Sequence, residues 1–546
     1  MDPSILKALL EGDAKYMSPT GTKFLYGTAG FRCKAPLLDK IVFRVGILAV
    51  LRSKCTKATI GVMLTASHNP VEDNGVKVVE PSGEMMVASW EPRATAIANA
   101  ASSDELVDII SQLISESSID IKQPSHVMFA RDTRPSGDHL AAILEQSLTA
   151  MQSSFDNLGV LTTPQLHYMV WSRNTHHPPS DIQGYYTTIA TAFKELLPQS
   201  MSGPAVVTVD CANGVGAGAL QKMAEVIGNN CLNVTVCNDG SSGILNEKCG
   251  ADYVKLNQCA PDGVDLETGK RYASLDGDAD RVVFFFEDNG SFRLLDGDKI
   301  ASLVASFIQE QLTQADMKLT LGVVQTAYAN GSSTDYLCGK MKIPVACVPT
   351  GVKHLHHKAK EFDIGVYFEA NGHGTVLFSE KAVKEFHRIS SDESCSMEKK
   401  QAASQLCRLT QLINQAVGDA LSDLLLVEVV LAHKKWGCAE WSKTYTDLPN
   451  RQMKVKVPDR TLMKTTDAER VCVSPAGLQE AIDTLVVTFA MGRSFVRPSG
   501  TEDVVRVYAE ADTQARCDLL ACLVADAVTE HMGDSVNKTT AADENH

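Results

Sequence analysis

Ile60-Gly-Val-Met-Leu64 runs without a break into Thr65-Ala-Ser67-His68-Asn69-Pro70, and this junction decides how the chain is read. Five apolar residues predict a buried strand. The small polar residues after it predict a loop at the strand's carboxyl end, where open α/β sheets place their ligands. Ser67 is flanked by groups able to polarise its hydroxyl or receive its proton, His68 first among them. Taken alone, the loop reads equally well as an ordinary Ser/Asn/Pro turn.

The same alternation recurs over most of the 546 residues. Strand-like runs at Val127–Ala130, Ala205–Val209, Val282–Phe286, Leu321–Val324 and Ile364–Phe368 alternate with helical patterns at Leu140–Met151, Gly218–Val226 and Lys299–Leu312. The pattern predicts mixed α/β layers. Turn formers and polar residues collect at Asn174–Gln183, around Asp296–Asp298 and across Thr444–Asp459. Four segments follow: 1–180, 181–297, 298–438 and 439–546. The first three are α/β and built alike, and the last is a smaller α+β unit of helix and sheet. The polar end, Asn537–His546, is expected to fray.

Composition excludes several classes. At 44% hydrophobic and 21% charged residues the chain is not disordered. Its 51 basic residues stand against 66 acidic ones, a net charge of −15, which argues against nucleic acid as a partner. Fifteen cysteines scatter from Cys33 to Cys522 with no C-x-x-C pair and no zinc-ligand spacing, so they read as reduced thiols. The amino terminus has no secretory pattern, and no run of about 18 apolar residues would span a membrane. The expectation is a multidomain cytoplasmic protein with no membrane partner and no obligate protein partner.

Four further stretches ask for a chemical reason. Ser274-Leu-Asp276-Gly-Asp278-Ala-Asp280-Arg281 runs into Val282-Val-Phe-Phe-Phe286. Three carboxylates at alternate positions repel one another unless a hard cation gathers them, and an oxygen-only donor set favours Mg²⁺ or Ca²⁺ over zinc. An EF-hand is discarded: Arg281 stands where its loop needs glycine, and a strand-like run follows. A haloacid-dehalogenase-like phosphatase, with Asp276 as nucleophile and Asp278 as acid, stays open. Tyr26-Gly-Thr-Ala-Gly-Phe-Arg32 offers a close backbone approach to an anion and an arginine to clamp it. Glu369-Ala370-Asn371-Gly372-His373 follows a strand-like run with groups suited to sugar hydroxyls and a histidine suited to proton transfer. Upstream, Lys353 stands in a second exposed turn. Arg497-Pro498-Ser499-Gly500-Thr501-Glu502, with Arg506 beyond it, suits a phosphate cradle. All of this is phosphate and hydroxyl chemistry, spread over all four segments, so a working cleft between them is expected.

T-A-S-H-N-P, D-G-D-A-D-R and R-P-S-G-T-E in that order resemble the α-D-phosphohexomutase superfamily from about Tyr26 to Ala511. That resemblance implies four domains around a central cleft, each supplying one loop. It implies a phosphoserine at Ser67, and Mg²⁺ held by Asp276, Asp278 and Asp280 together with the oxygen of that serine. Lys77, His68 and His373 would handle protons, while Arg32 and Arg281 would stabilise the moving phosphate. Glu369, Ala370, Asn371 and Gly372 would meet the sugar hydroxyls, and Lys353 would be a further contact. Arg497, Pro498, Ser499, Gly500, Thr501 and Arg506 would grip the phosphate that does not react. Asn371, the Tyr26–Arg32 motif and the stretch Gly184–Lys194 are similar to the acetylglucosamine branch. The implied reaction interconverts N-acetylglucosamine 6-phosphate and 1-phosphate through a sugar 1,6-bisphosphate. The alternatives are a sister mutase for glucose, mannose or glucosamine phosphate, and a Mg²⁺-dependent phosphohydrolase using Asp276.

Overall fold

The computed structural model describes residues 3–17, 21–176, 180–201, 203–500 and 503–533, and the backbone of 539–540. They form two compact units. One comprises Met1–Val254, Ala260–Phe284 and Arg408–Ala432; the other comprises Lys255–Cys259, Phe285–Cys407 and His433–His546.

In the first unit the stretch Ile60–Leu64 is a central strand with every residue buried, as its unbroken apolar sequence requires. It pairs in parallel with His126–Arg131 and antiparallel with Asp73–Val79. Phe31–Lys34 and Ser154–Val160 form the sheet edges. The helix Asp39–Thr56 is buried over most of its length and packs on the helix Gly137–Ala150 and on this sheet. A second sheet holds Leu232–Cys237, Ala205–Asp210 and Tyr272–Leu275 in parallel. The strands Ile60–Leu64 and Tyr272–Leu275 therefore deliver the serine loop and the aspartate loop from their carboxyl ends, the place such sheets reserve for chemistry. The helix Ala420–Lys434 is largely apolar and buried from Ala420 to Leu431, and Ala420 N–H donates to Ala279 O at 3.1 Å.

The second unit carries a mixed sheet in which Val345–Val348, Leu321–Thr326 and Ile364–Phe368 run parallel, with Gly374–Phe378 antiparallel at the edge. A second sheet is wholly antiparallel: Arg493–Pro498, Val504–Glu510, Asn450–Lys456 and the short Thr539–Thr540. Thr539–Thr540 pairs with Met453–Lys454, so the carboxyl-terminal stretch expected to fray contributes one strand; the rest of it lies outside the described residues. One face of this sheet buries Met453, Val455, Val496, Val505 and Val507 against the helices Leu478–Val486 and Gln514–Met532. Strand alternation then puts Arg497, Arg506 and Lys454, which are register partners across three strands, together on the other face. The expected mixed α/β architecture with a smaller α+β carboxyl-terminal part is what these sheets form.

Candidate active site

In the first unit the loop after Leu64 turns sharply at Ser67, whose φ of 52° lies in the left-handed region that a serine rarely adopts. The side chain is fully buried, and Ser67 Oγ donates to Asp276 Oδ2 at 2.8 Å. Its backbone N–H donates to Thr65 Oγ1 at 2.9 Å, and Thr65 Oγ1 donates in turn to Asp132 Oδ2 at 2.7 Å. His68 Nδ1 lies 3.4 Å from Ser67 Oγ and 3.8 Å from Asp252 Oδ2. Burial, and then the charge of Arg281, press the His68 pKa down to about 4, which holds the ring in its neutral form.

Asp276, Asp278 and Asp280 are buried, and their carboxylate oxygens come within 4.8 Å of one another. The loop that carries them is pinned from three directions. Val215 N–H donates to Gly277 O at 3.2 Å, Thr163 N–H to Asp278 O at 3.2 Å, and Ala420 N–H to Ala279 O. Gly277 admits no side chain, because a Cβ there would stand 2.5 Å from Ser67 O. Burial and the two neighbouring carboxylates push the Asp276 carboxyl well above its ordinary range. Burial and Asp280 push Asp278 up as well, but Lys77, the Thr163 hydroxyl and Arg32 outweigh them and hold it below. Lys77 Nζ is 3.2 Å from Asp278 Oδ2 and 3.8 Å from Asp280 Oδ2. Thr163 Oγ1 donates to Asp278 Oδ2 at 2.7 Å, whereas Asp278 Oδ1 is buried and accepts no hydrogen bond. A buried carboxylate oxygen without a donor, in an oxygen-only set of three, fits a hard divalent cation. Arg281 Nη1 donates to Asp252 Oδ2 at 2.7 Å, and its Nε lies within 3.8 Å of Asp276 and Asp280. Arg32 Nε is buried without a hydrogen-bond partner.

Ser67, His68, Lys77, Arg32, Arg281 and the three aspartates thus gather in one unit. Sequence reasoning missed four side chains that hold them. Arg134, 1% exposed, donates to the carbonyls of Ser67, Asn69, Pro70 and Asp73 and to Asp132 Oδ2. Asp252 positions Arg281, Thr163 orients Asp278, and Asn246 donates to the Ser67 loop. Only Thr163 had a readable local signal, the T-x-x-Q capping box Thr162/Gln165 at its helix start.

In the second unit Glu369–His373 forms the tight connection between two antiparallel strands. Glu369 N–H donates to His373 O at 2.8 Å, and His373 N–H donates to Asn371 Oδ1 at 3.1 Å. Gly372, at φ 88°, makes the turn. Gly297 N–H reaches Ala370 O at 3.4 Å from the neighbouring helix start. Lys353, expected in an exposed turn, instead lies buried in the first turn of the helix Val352–Ala359. Arg497 Nε donates to Tyr328 Oη at 3.0 Å, and its Nη1 pairs with Glu469 Oε1 at 3.3 Å. Arg506, its register partner, has a buried Nε without a hydrogen bond. Facing cations across strands destabilise a sheet unless an anion joins them, so the row fits a phosphate. Ser499 is buried, with its N–H on Val504 O at 2.9 Å. Thr501, assigned to this loop from the sequence, lies outside the described residues.

A nucleophilic hydroxyl over buried carboxylates, with cations beside it, is the equipment of a metal-assisted phosphoryl-transfer enzyme. Comparison with known proteins narrows this. Family models match at residues 37–105 (phosphoglucomutase/phosphomannomutase, alpha/beta/alpha domain I), 175–283 (phosphoacetylglucosamine mutase AMG1, domain II), 296–436 (the same protein, domain III) and 453–527 (phosphoglucomutase/phosphomannomutase, C-terminal domain). The phosphoacetylglucosamine mutase of Homo sapiens is 52% identical over 534 residues, 97% of this chain and 98% of that one. The Saccharomyces cerevisiae enzyme is 46% identical over 541 residues, 93% and 96% of the two chains. The crystal structure of Aspergillus fumigatus N-acetylphosphoglucosamine mutase in complex with GlcNAc-6P and magnesium superposes with a TM-score of 0.93 at 49% identity, covering 97% of this chain and 100% of that one. The chain belongs to the phosphoacetylglucosamine mutase family, in the α-D-phosphohexomutase superfamily.

Proposed function

We propose that this chain interconverts N-acetylglucosamine 6-phosphate and N-acetylglucosamine 1-phosphate, the step that supplies UDP-N-acetylglucosamine synthesis, through a phosphoserine at Ser67. The observation that carries the reading is the 2.8 Å hydrogen bond from Ser67 Oγ to Asp276 Oδ2, which sets the hydroxyl on the carboxylate cluster. The phosphoryl group on Ser67 passes to the free hydroxyl of the sugar phosphate, giving the 1,6-bisphosphate. The sugar turns over, and Ser67 takes back the other phosphate. Asp276, Asp278, Asp280 and the serine oxygen would hold Mg²⁺, whose charge offsets that of the phosphoryl oxygens. Arg32, Arg281 and Lys77 bring positive charge to the same place. Lys77, His68 and His373 are the groups suited to move the hydroxyl protons. Glu369, Ala370, Asn371, Gly372 and Lys353 serve the sugar. Arg497, Pro498, Ser499, Gly500, Thr501 and Arg506 grip the phosphate that is not transferring, whichever end of the sugar carries it.

Two further observations support the reading. A. fumigatus N-acetylphosphoglucosamine mutase has been crystallised with GlcNAc-6P and magnesium and, as a serine variant, with glucose 1,6-bisphosphate. Among the described residues the fifteen cysteines form no disulfide, which suits the reducing cytoplasm, and no helix is long and apolar enough to cross a membrane.

The test is kcat/KM measured with the 6-phosphates of N-acetylglucosamine, glucose, mannose and glucosamine, in the presence of Mg²⁺ and glucose 1,6-bisphosphate. The acetylated sugar is expected to lead by at least about tenfold, the scale of one well-placed polar contact. Equal rates would move the chain to a sister mutase, and steady release of inorganic phosphate to a hydrolase acting through Asp276. Arg497→Ala is expected to raise KM for the sugar phosphate by about 10- to 100-fold, the worth of a charge-assisted pair, and Arg497→Lys to recover only part of it. An unchanged KM in both would remove Arg497 from the phosphate grip.

A further inference from the structure

We infer that Asn246 is a positioning residue for Ser67. It holds the serine loop in its left-handed turn and locks it against the aspartate loop. The inference rests on the phosphoserine reading above and deepens it.

Four hydrogen bonds join two amino groups to two carbonyls. Arg134 Nη2 donates to Ser67 O at 2.9 Å and to Asn69 O at 2.8 Å. Asn246 Nδ2 donates to the same two oxygens, at 2.8 Å and 3.0 Å. Each nitrogen carries two hydrogens and each carbonyl two lone pairs, so the square uses both sides fully. A serine at φ 52° sits in a sparsely populated region and persists only where its surroundings over-determine it. Two donors on its own carbonyl do so.

Arg134 and Asn246 are not equivalent. Arg134 lies in the same sheet region as Ser67, two residues beyond Asp132, with which it pairs at 3.0 Å. Asn246 comes from the stretch matched as the second family domain, residues 175–283, while Ser67 lies in the first, residues 37–105. The asparagine is itself left-handed, at φ 60°, with its N–H on Ala212 O at 2.9 Å. Gly277 of the aspartate loop approaches so closely that a Cβ on it would stand 2.9 Å from Asn246 Nδ2 and 2.5 Å from Ser67 O. The carboxamide is therefore packed between the loop that bears the nucleophile and the loop that bears the carboxylates. Its hydrogen bonds go to the carbonyls of Ser67 and Asn69 and, from its backbone, to Ala212. A phosphoryl group on Ser67 would bring further negative charge beside Asp276, and a serine loop free to recoil would relieve that repulsion by swinging away. The asparagine opposes this movement.

The consequence is a defect in phosphoryl transfer with little change in substrate binding. Asn246→Ala removes both donors; Asn246→Asp keeps the volume and turns a carboxylate toward two carbonyl oxygens. Each full-length variant is incubated with Mg²⁺ and glucose 1,6-bisphosphate, and phosphorylation of the peptide holding Ser67 is followed by mass spectrometry. Both variants are expected to phosphorylate about 10- to 100-fold more slowly and to lose kcat by the same factor, as misplaced reacting groups do, while KM for N-acetylglucosamine 6-phosphate stays within about twofold. Hydrogen exchange should quicken in the peptide spanning residues 65–72 of Asn246→Ala. Wild-type rates in the variants, a loss confined to KM, or loss of the native near-ultraviolet spectrum in both variants would each overturn the proposal, the last by making Asn246 a structural residue. Absence of phosphate from Ser67 in the wild-type chain would instead sink the phosphoserine reading itself.

Discussion

Ser67→Ala is expected to give a folded chain that transfers no phosphoryl group, with interconversion of the two sugar phosphates falling by more than about 10³-fold, as removal of a covalent nucleophile does. The hydroxyl donates to Asp276 Oδ2 and sits within 3.4 Å of His68 Nδ1. Its loss removes one buried hydrogen bond, worth about 1 kcal/mol, and leaves the carbonyl clamp from Arg134 and Asn246 in place. Stability and activity should therefore separate. The melting temperature should move by a few degrees at most, while the catalytic rate disappears. Peptide mapping after incubation with the bisphosphate and Mg²⁺ should find phosphate on wild-type Ser67 and none in the variant. A variant that keeps appreciable mutase activity, or a wild-type phosphate found on Asp276, would remove the serine from the reaction and return the chain to the hydrolase alternative.

The residues that bear chemistry were legible because each breaks a local rule. Three carboxylates at alternate positions beside Val282–Phe286 have no structural reason to stand together. A serine between alanine and histidine, three residues after an unbroken apolar strand, has little reason to be buried. The residues that hold them break no local rule. Asn246 in Gly-Ile-Leu-Asn-Glu-Lys reads as a turn former, and it is one, at φ 60°. Nothing in that reading says its amide meets the carbonyls of residues 67 and 69. Asp467, Ala468 and Glu469 are three successive left-handed residues in a short hairpin. That turn brings Glu469 to Arg497 Nη1 at 3.3 Å and to Thr350 N–H at 2.9 Å, and no periodicity announces it. The helix Ala420–Lys434 is largely apolar, so its sequence says that it is buried without saying against what. It places Ala420 N–H on the aspartate loop, and nearby Tyr185 donates to Asp419 Oδ2 at 2.9 Å. Propensity and pattern fix elements and loops; the partners of a loop are set by chain returns of tens to hundreds of residues, which local sequence does not encode.

The aspartate loop carries the second large effect, and its sign depends on the metal. Three buried carboxylates within 4.8 Å repel one another, at about 4 kcal/mol per charged pair for a separation near 4 Å and an effective dielectric of 20. Lys77 and Arg281 offset part of this. Asp276→Asn removes the carboxyl whose ionisation burial and its two neighbours oppose, and keeps its shape: the Asn Oδ1 can still accept the backbone N–H groups of Asp280 and Arg281, now at 3.0 and 3.2 Å. In chelator the variant is therefore expected to melt at or above the wild-type temperature. Magnesium should reverse the order. At a concentration one hundred times Kd it would stabilise the wild-type protein by about 2.7 kcal/mol and leave a variant with a broken ligand set unmoved. The same variant should lose more than about 10³-fold in kcat, because the cation and the hydrogen-bond acceptor of Ser67 go together. Thermal melts of both proteins with chelator and with Mg²⁺ decide the matter. An equal Mg²⁺-dependent rise in both would show that Asp276 is no ligand, and a strongly destabilised variant in chelator would show that its carboxylate is held by the cations around it rather than by the metal.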